Sequence, residues 1–259
     1  MSGNDRGCED MLKGFRLTLG FLTRIPVNIN WEVRDGDLEK GIIYFPMVGL
    51  VLGGISALSY QVAAYIFPDI IAIMCGMLAL VFATGAFHVD GLADTVDGIY
   101  SARKREWMLE IMKDSRVGTN GVIAIVFDFA FRFAGLCTGK MLNAPLWLLF
   151  LVLPVAGKMV QGMVGYKGTY AREKGLGLFI GTLSGGRTLV CSLIGILIMT
   201  ISFGICGLAA AVTVFVLIYG FRRYVEKILG GLTGDVMGAA NELAEILFLL
   251  CLYGFFRIL

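Results

Sequence analysis

The run IIYFPMVGLVLGGISALSYQVAAYIF, residues 42–67, is followed after Pro68 and Asp69 by IIAIMCGMLALVFATGAFH, residues 70–88, with Asp69 as the only acid and no Lys or Arg in either. A bilayer core of about 30 Å needs about 20 mostly apolar residues per spanning helix, so both runs can cross. Pro68-Asp69 leaves room only for a tight hairpin. The same test, carried outward, finds runs at 119–138, 146–165, 189–205, 208–224 and 242–258, the fifth and sixth of the seven separated only by Cys206-Gly207. The expected fold is therefore all-α: a polytopic transmembrane bundle of about seven spans over 42–259, preceded by a cytoplasmic or interfacial segment, 1–41. No Pro/Ser-rich linker or charge block divides the chain, so 1–259 reads as one integral membrane domain.

Composition agrees. Of 259 residues 57% are hydrophobic and 16% charged, more apolar surface than a soluble core of this length buries. A net charge of +2 argues against a nucleic-acid partner held by charge. The connections carry a topological signal. Eighteen Lys and Arg fall in or beside 1–41, 89–118, 166–188 and 225–241, whereas the opposite set holds only Lys140 and Arg257. The positive-inside rule puts the N-terminus and the long connections in the cytoplasm, at the inner membrane, and the C-terminus on the far side. The N-terminus mixes acids and bases before any apolar run and is not expected to act as a signal peptide. Leu12, Phe15, Leu19 and Leu22 stand at helical spacing in 11–23, which suits an interfacial amphipathic helix or a packed first helix equally. None of the six cysteines forms a C-x-x-C pair or adjoins the single histidine, so zinc and disulfide frameworks are excluded and the thiols read as small core residues.

Directly after residue 88 come Asp90, Asp94 and Asp97, at i, i+4 and i+7. On a helix these lie within about 60° of one another and share a face. Like charges so placed repel, and a carboxylate near the membrane core is costly. A divalent cation would offset that. All-oxygen ligation without thiol or imidazole in register points to Mg²⁺ or Mn²⁺. The alternative, a solvated acidic turn, sits poorly with the apolar flanks Phe87, Leu92 and Val96.

Further on, Lys113, Asp114, Ser115, Arg116 and Gly118 combine acid, hydroxyl and base within six residues. Lys113 and Arg116 suit phosphate oxygens, Asp114 a metal or a base, and Gly118 a helix opening toward an anion. Arg103, Lys104 and Arg105 read more simply as topology charge. A second acidic constellation holds Thr233, Asp235 and Glu242, the two acids again seven apart. With the first it would surround a metal and a bridging phosphoester, as phosphoryl-type transfer requires. The basic connection 166–181 reads equally as topology charge or as an anion site. His88 fits a structural hydrogen-bonding role better than that of a general base. Asp128, Arg132 and Lys158 lie at membrane depth, where they are functional by default or paired, Asp128 and Arg132 being four apart.

Taken together these blocks resemble the cobalamin synthase (adenosylcobinamide-GDP ribazoletransferase) family: FLTRIPV at 21–27, FPMVGL at 45–50, FHVDGLADTVDG at 87–98, MLEIMKDSRVGT at 108–119, YAREKGLG at 170–177 and GGLTGDVMGAANE at 230–242. The resemblance spans nearly the whole chain. It implies that α-ribazole, or its 5′-phosphate, attacks the cobinamide-proximal phosphorus of adenosylcobinamide-GDP with Mg²⁺, releasing GMP. It implies catalytic roles for Asp90, Asp94, Asp97, Asp114, Asp235 and Glu242, with the metal on Asp90, Asp94, Asp97 and Asp235. Substrate would meet Lys113, Ser115, Arg116, Gly118, Arg172 and Thr233. The implied partners are the two substrates and the bilayer, with a homo-oligomer left open. Of the rivals, a CDP-alcohol phosphotransferase begins correctly at Asp94-x-x-Asp97-Gly98, but Ala102-Arg103 arrive one residue late and its downstream aspartates are missing. A cation transporter would show internal repeats with helices broken at the midplane, and none is evident.

Overall fold

The computed structural model describes residues 3–34, 36–142, 144–173, 175, 177 and 179–259, with the backbone alone for 3–8 and 140. Lys174 and the side chains of Cys8 and Lys140 thus lie outside the described part. Among the described residues ten α-helices follow one another: α1 (Gly3–Leu22), α2 (Asp37–Gly41), α3 (Phe45–Ala64), α4 (Asp69–Thr84), α5 (Phe87–Tyr100), α6 (Arg105–Ile111), α7 (Thr119–Cys137), α8 (Leu146–Gly165), α9 (Gly185–Leu229) and α10 (Gly234–Ile258). Among the described residues the only β pairing is a single parallel bridge, Tyr170 to Leu232.

The centre of the bundle is α8. Its apolar window is 89% buried, against 28% for α7, because α3, α9 and α10 all pack on it. Gly49 and Gly53 permit the closest of these approaches. A Cβ on Gly53 would lie 2.0 Å from the Leu151 carbonyl oxygen of α8, so the small-x-x-x-small pair brings two backbones together where apolar attraction between helices gains nothing from lipid. The exposed large side chains of α4, α7 and α9, among them Phe82, Val126 and Ile201, face outward as a lipid-facing surface would.

Among the described residues five helices, or six counting α4 with α5, are long and apolar enough to cross a membrane, and the protein is an integral membrane protein. The expected seven is recovered only if the bent α4–α5 pair counts as one span and α9 as two. In α9 the helix is interrupted at Phe203 and Gly204, the latter at φ 58°. Thr188 packs near Gly162, and Arg222 donates to the Met163 carbonyl at 2.8 Å. Residues 34 apart therefore reach the same level of α8, and the element folds back on itself. The reversal falls at Gly204, which takes the positive φ that glycine allows, instead of at Cys206-Gly207, where Gly207 is packed so that a Cβ would lie 2.1 Å from the Met199 carbonyl oxygen. The second run also ends early. Gly85 and Ala86, both at positive φ, stop α4 and turn α5 through 85°.

Of the two readings of the first helix, packing accounts for its C-terminal half. Leu17, Thr18 and Leu22 are buried, whereas Met11 and Leu12 are exposed. The described cysteines are all free.

Candidate active site

The acidic triplet lies on α5 as its spacing predicts, and its burial is graded: Asp90 exposed, Asp94 half-buried, Asp97 buried. Asp235, in the first turn of α10, is brought against this face by a close helix crossing. A Cβ on Gly91 would lie 2.8 Å from the Asp235 carbonyl oxygen, so a side chain there would push the two helices apart. Asp94 consequently stands in the field of Asp90, Asp235 and Asp97, with Arg172 the opposing cation.

Arg172 arrives from the connection after α8. That segment is tied to the turn before α10 by Leu232 N–H to the Thr169 carbonyl and Ala171 N–H to the Leu232 carbonyl, each 2.8 Å. Its guanidinium pairs with Asp235 Oδ2 at 2.7 Å and donates to the Met112 carbonyl at 3.2 Å. Nε is buried and, among the described residues, has no partner, so this N–H is left unpaired. Arg105 donates to the Leu229 carbonyl, and Thr182 to Glu39 at 3.1 Å. All four basic connections that the charge count groups together are thereby joined at one end of the bundle.

The remaining expected site residues divide. Asp97 is engaged through both oxygens: its carboxylate accepts Gly118 N–H at 2.7 Å and Gly121 N–H at 2.8 Å. Gly118 is the N-cap of α7 and has no side chain to offer, so Asp97 caps that helix from 21 residues away. Thr233 is completely buried and caps α10, accepting Val236 N–H at 3.3 Å and donating to Asp235 at 3.2 Å. It positions Asp235 and presents nothing to a ligand. Asp114 and Arg116 pair with each other on the surface at 2.6 Å, and the bond from Arg116 holds the Asp114 carboxyl below the usual range. Lys113 pairs with Glu110 at 2.9 Å, and Ser115 is exposed.

Glu242, expected in a second ligand set, stands apart from the aspartates of α5. It lies two helical turns, about 10 Å, beyond Asp235, and both its oxygens are taken, Oε2 by Arg132 and Oε1 by Asn241 at 2.9 Å. It belongs to a buried ionic layer beneath the site. There Arg132 also binds Asp128 at 3.2 Å and Glu245, Asn241 donates to Glu245 at 3.0 Å, and Lys158 donates to Asn241 at 2.6 Å and meets His88 Nε2 at 3.1 Å. Asp128 and Arg132 thus pair, and His88 is a hydrogen-bonded structural residue. Sequence reasoning left Asn241 and Glu245 without roles. Glu245, an acid inside an apolar run, carried the signal that it needs a partner.

Among the described residues no three acidic, cysteine or histidine side chains form a ready-made metal cage. Mg²⁺ does not demand one, since it keeps several waters and binds through one or two carboxylates together with substrate phosphates. Asp90, Asp94 and Asp235 fit that donor chemistry. Asp97 would meet an ion only with oxygens that already accept the Gly118 and Gly121 amides.

Residues 14–253 match the family model described as cobalamin-5-phosphate synthase. An adenosylcobinamide-GDP ribazoletransferase of Clostridium novyi (strain NT) is 43% identical over 247 residues, covering 94% of this chain and 98% of that protein. A second, from Klebsiella pneumoniae (strain 342), is 43% identical over 251 residues, covering 93% and 100%. No solved structure matches. The likeness runs through α5, the basic connections and α10 alike, and the chain belongs to the cobalamin-5-phosphate synthase family.

Proposed function

We propose that this protein transfers the phosphocobinamide group of adenosylcobinamide-GDP to α-ribazole or its 5′-phosphate. A ribose hydroxyl forms the new bond to the cobinamide-proximal phosphorus while the bond to the GMP oxygen breaks. The hydroxyl proton is given up, GMP leaves, and adenosylcobalamin or its 5′-phosphate remains. The observation that carries this is the meeting of Asp90, Asp94 and Asp235 with the unpartnered Nε of Arg172 at one end of a membrane bundle. Nothing favours the CDP-alcohol or transporter readings.

Mg²⁺, held by Asp90, Asp94 and Asp235, would neutralise the bridging phosphate charge. The chain's own work is positioning, the main demand of phosphoryl transfer. Arg172 offers its free donor to a phosphate oxygen and balances Asp235. Asp97 and Thr233 fix the ends of α7 and α10 around the site. The positive-inside bias supports a cytoplasmic active face at the inner membrane.

Incubation of the detergent-purified protein with adenosylcobinamide-GDP, α-ribazole and Mg²⁺, with and without EDTA, tests this. GMP and the cobamide should appear together and only with metal. Absence of both from folded protein would remove the assignment.

A further inference from the structure

We infer that the cleft between α1, the connection to α2 and the first turn of α9 is a headgroup site for one phospholipid, a phosphoethanolamine whose phosphate meets Arg34 and Arg187 and whose ammonium meets Asp10 and Glu32.

The cleft holds about 550 Å³, within the range of small-molecule sites. Charged side chains line it from three separate segments. Two of its four bases are already paired, Lys13 with Glu9 and Lys40 with Asp37, each at 2.8 Å. Arg34 uses only its backbone N–H, which donates to Asp37 Oδ2 at 3.0 Å. Among the described residues the guanidinium groups of Arg34 and Arg187 make no ion pair, and neither do the lining acids Asp10 and Glu32. Uncommitted charges of both signs therefore face one space.

Depth in the bilayer points to lipid as the source of the occupant. Tyr44 directly precedes α3 and Arg187 lies in the first turn of α9, so the cleft sits where two apolar helices begin. That level is the headgroup layer, where aromatic side chains such as Trp31 and Tyr44 concentrate. Beyond Arg187, the exposed side chains of Leu189, Val190, Leu193 and Leu197 continue along α9. A phosphate held at Arg187 would lay its acyl chains over them.

Charge narrows the headgroup. An anionic headgroup with no cation of its own would satisfy the two arginines and leave Asp10 and Glu32 facing a further negative charge. Choline brings a cation, but its trimethylated nitrogen has no N–H to donate. An ethanolamine ammonium has three, as a lysine does, and charge-assisted bonds to carboxylates are among the strong ones. A soluble phosphoethanolamine ester shares this chemistry, but the apolar strip on α9 suits only the lipid.

The test is native mass spectrometry of the full chain in detergent, titrated with phosphatidylethanolamine, phosphatidylcholine or phosphatidylglycerol, for wild type, Arg187→Ala and Glu32→Gln. Wild type should bind phosphatidylethanolamine about tenfold more tightly than either other lipid, a difference of about 1.4 kcal/mol. Arg187→Ala should weaken that binding about tenfold without moving the melting temperature of the lipid-free protein. Glu32→Gln should weaken phosphatidylethanolamine and strengthen phosphatidylglycerol. Equal binding of the three lipids, or binding unchanged in both variants, would mean lipid held only around the bundle and would overturn the inference. Tightest binding of phosphatidylglycerol would mean that phosphate alone is read, and the ethanolamine assignment falls. Displacement of the lipid by an equal concentration of soluble glycerophosphoethanolamine would make the ligand a free ester and would also overturn it. Each readout is independent of turnover, so its failure is distinct from failure of the reaction proposed above.

Discussion

Arg172 and Asp235 form a 2.7 Å ion pair that joins the connection after α8 to the first turn of α10. The guanidinium is the internal cation of an acid-rich site, and among the described residues its Nε has no partner. A bidentate, planar group of this kind can hold Asp235, the Met112 carbonyl and a phosphate oxygen together, which a lysine ammonium cannot.

Arg172→Ala should therefore raise KM for adenosylcobinamide-GDP at least tenfold, the equivalent of about 1.4 kcal/mol, and Arg172→Lys should recover only part of the loss. KM for α-ribazole should change little. An unaltered KM for the diphosphate substrate would reduce Arg172 to a support for Asp235.

Asp94 and Asp97 are three residues apart on one helix, yet they should fail in different ways. Asp94→Asn should abolish turnover while leaving the melting temperature in detergent equal or higher, since it removes a charge facing three other acids. Asp97→Ala should lower stability by about 1–2 kcal/mol, the value of a lost helix cap. Asp97→Asn, which keeps one acceptor, should fall between. Activity should follow melting temperature across the Asp97 series and not across the Asp94 series. If Asp97→Asn kept full stability but lost all turnover, Asp97 would be a metal ligand after all.

How far the sequence discloses this arrangement depends on the range of each interaction. Spacing alone puts Asp90, Asp94 and Asp97 on one face, because helical periodicity is local. Which partner each carboxylate finds is not local: Asp97 meets Gly118 and Gly121 only once α7 docks on α5, and Arg172 meets Asp235 only through the pairing of 169–171 with Leu232. Glu242 shows the limit most clearly. Its register with Asp235 is right, but two turns of helix carry it out of the site and onto Arg132. The membrane fold itself was legible from hydropathy, whereas the site of each break depended on single glycines, Gly85 and Gly204.

The layer around Arg132 gives the last prediction. Two cations, Arg132 and Lys158, are buried with three acids, Asp128, Glu242 and Glu245, and Asn241 bridges the two halves. Removing one member of a buried pair leaves an uncompensated charge, at a cost of about 3–5 kcal/mol. Arg132→Met strands all three acids and should lower the melting temperature sharply or prevent recovery of folded protein. Glu242→Gln keeps the hydrogen-bonding shape and relieves the excess of negative charge. It should fold, with stability near wild type and turnover within tenfold. A metal ligand would behave oppositely, losing turnover by orders of magnitude with stability intact. Thermal unfolding and turnover measured on the same Glu242→Gln preparation therefore decide whether this acid belongs to the ionic layer or to the chemistry above it.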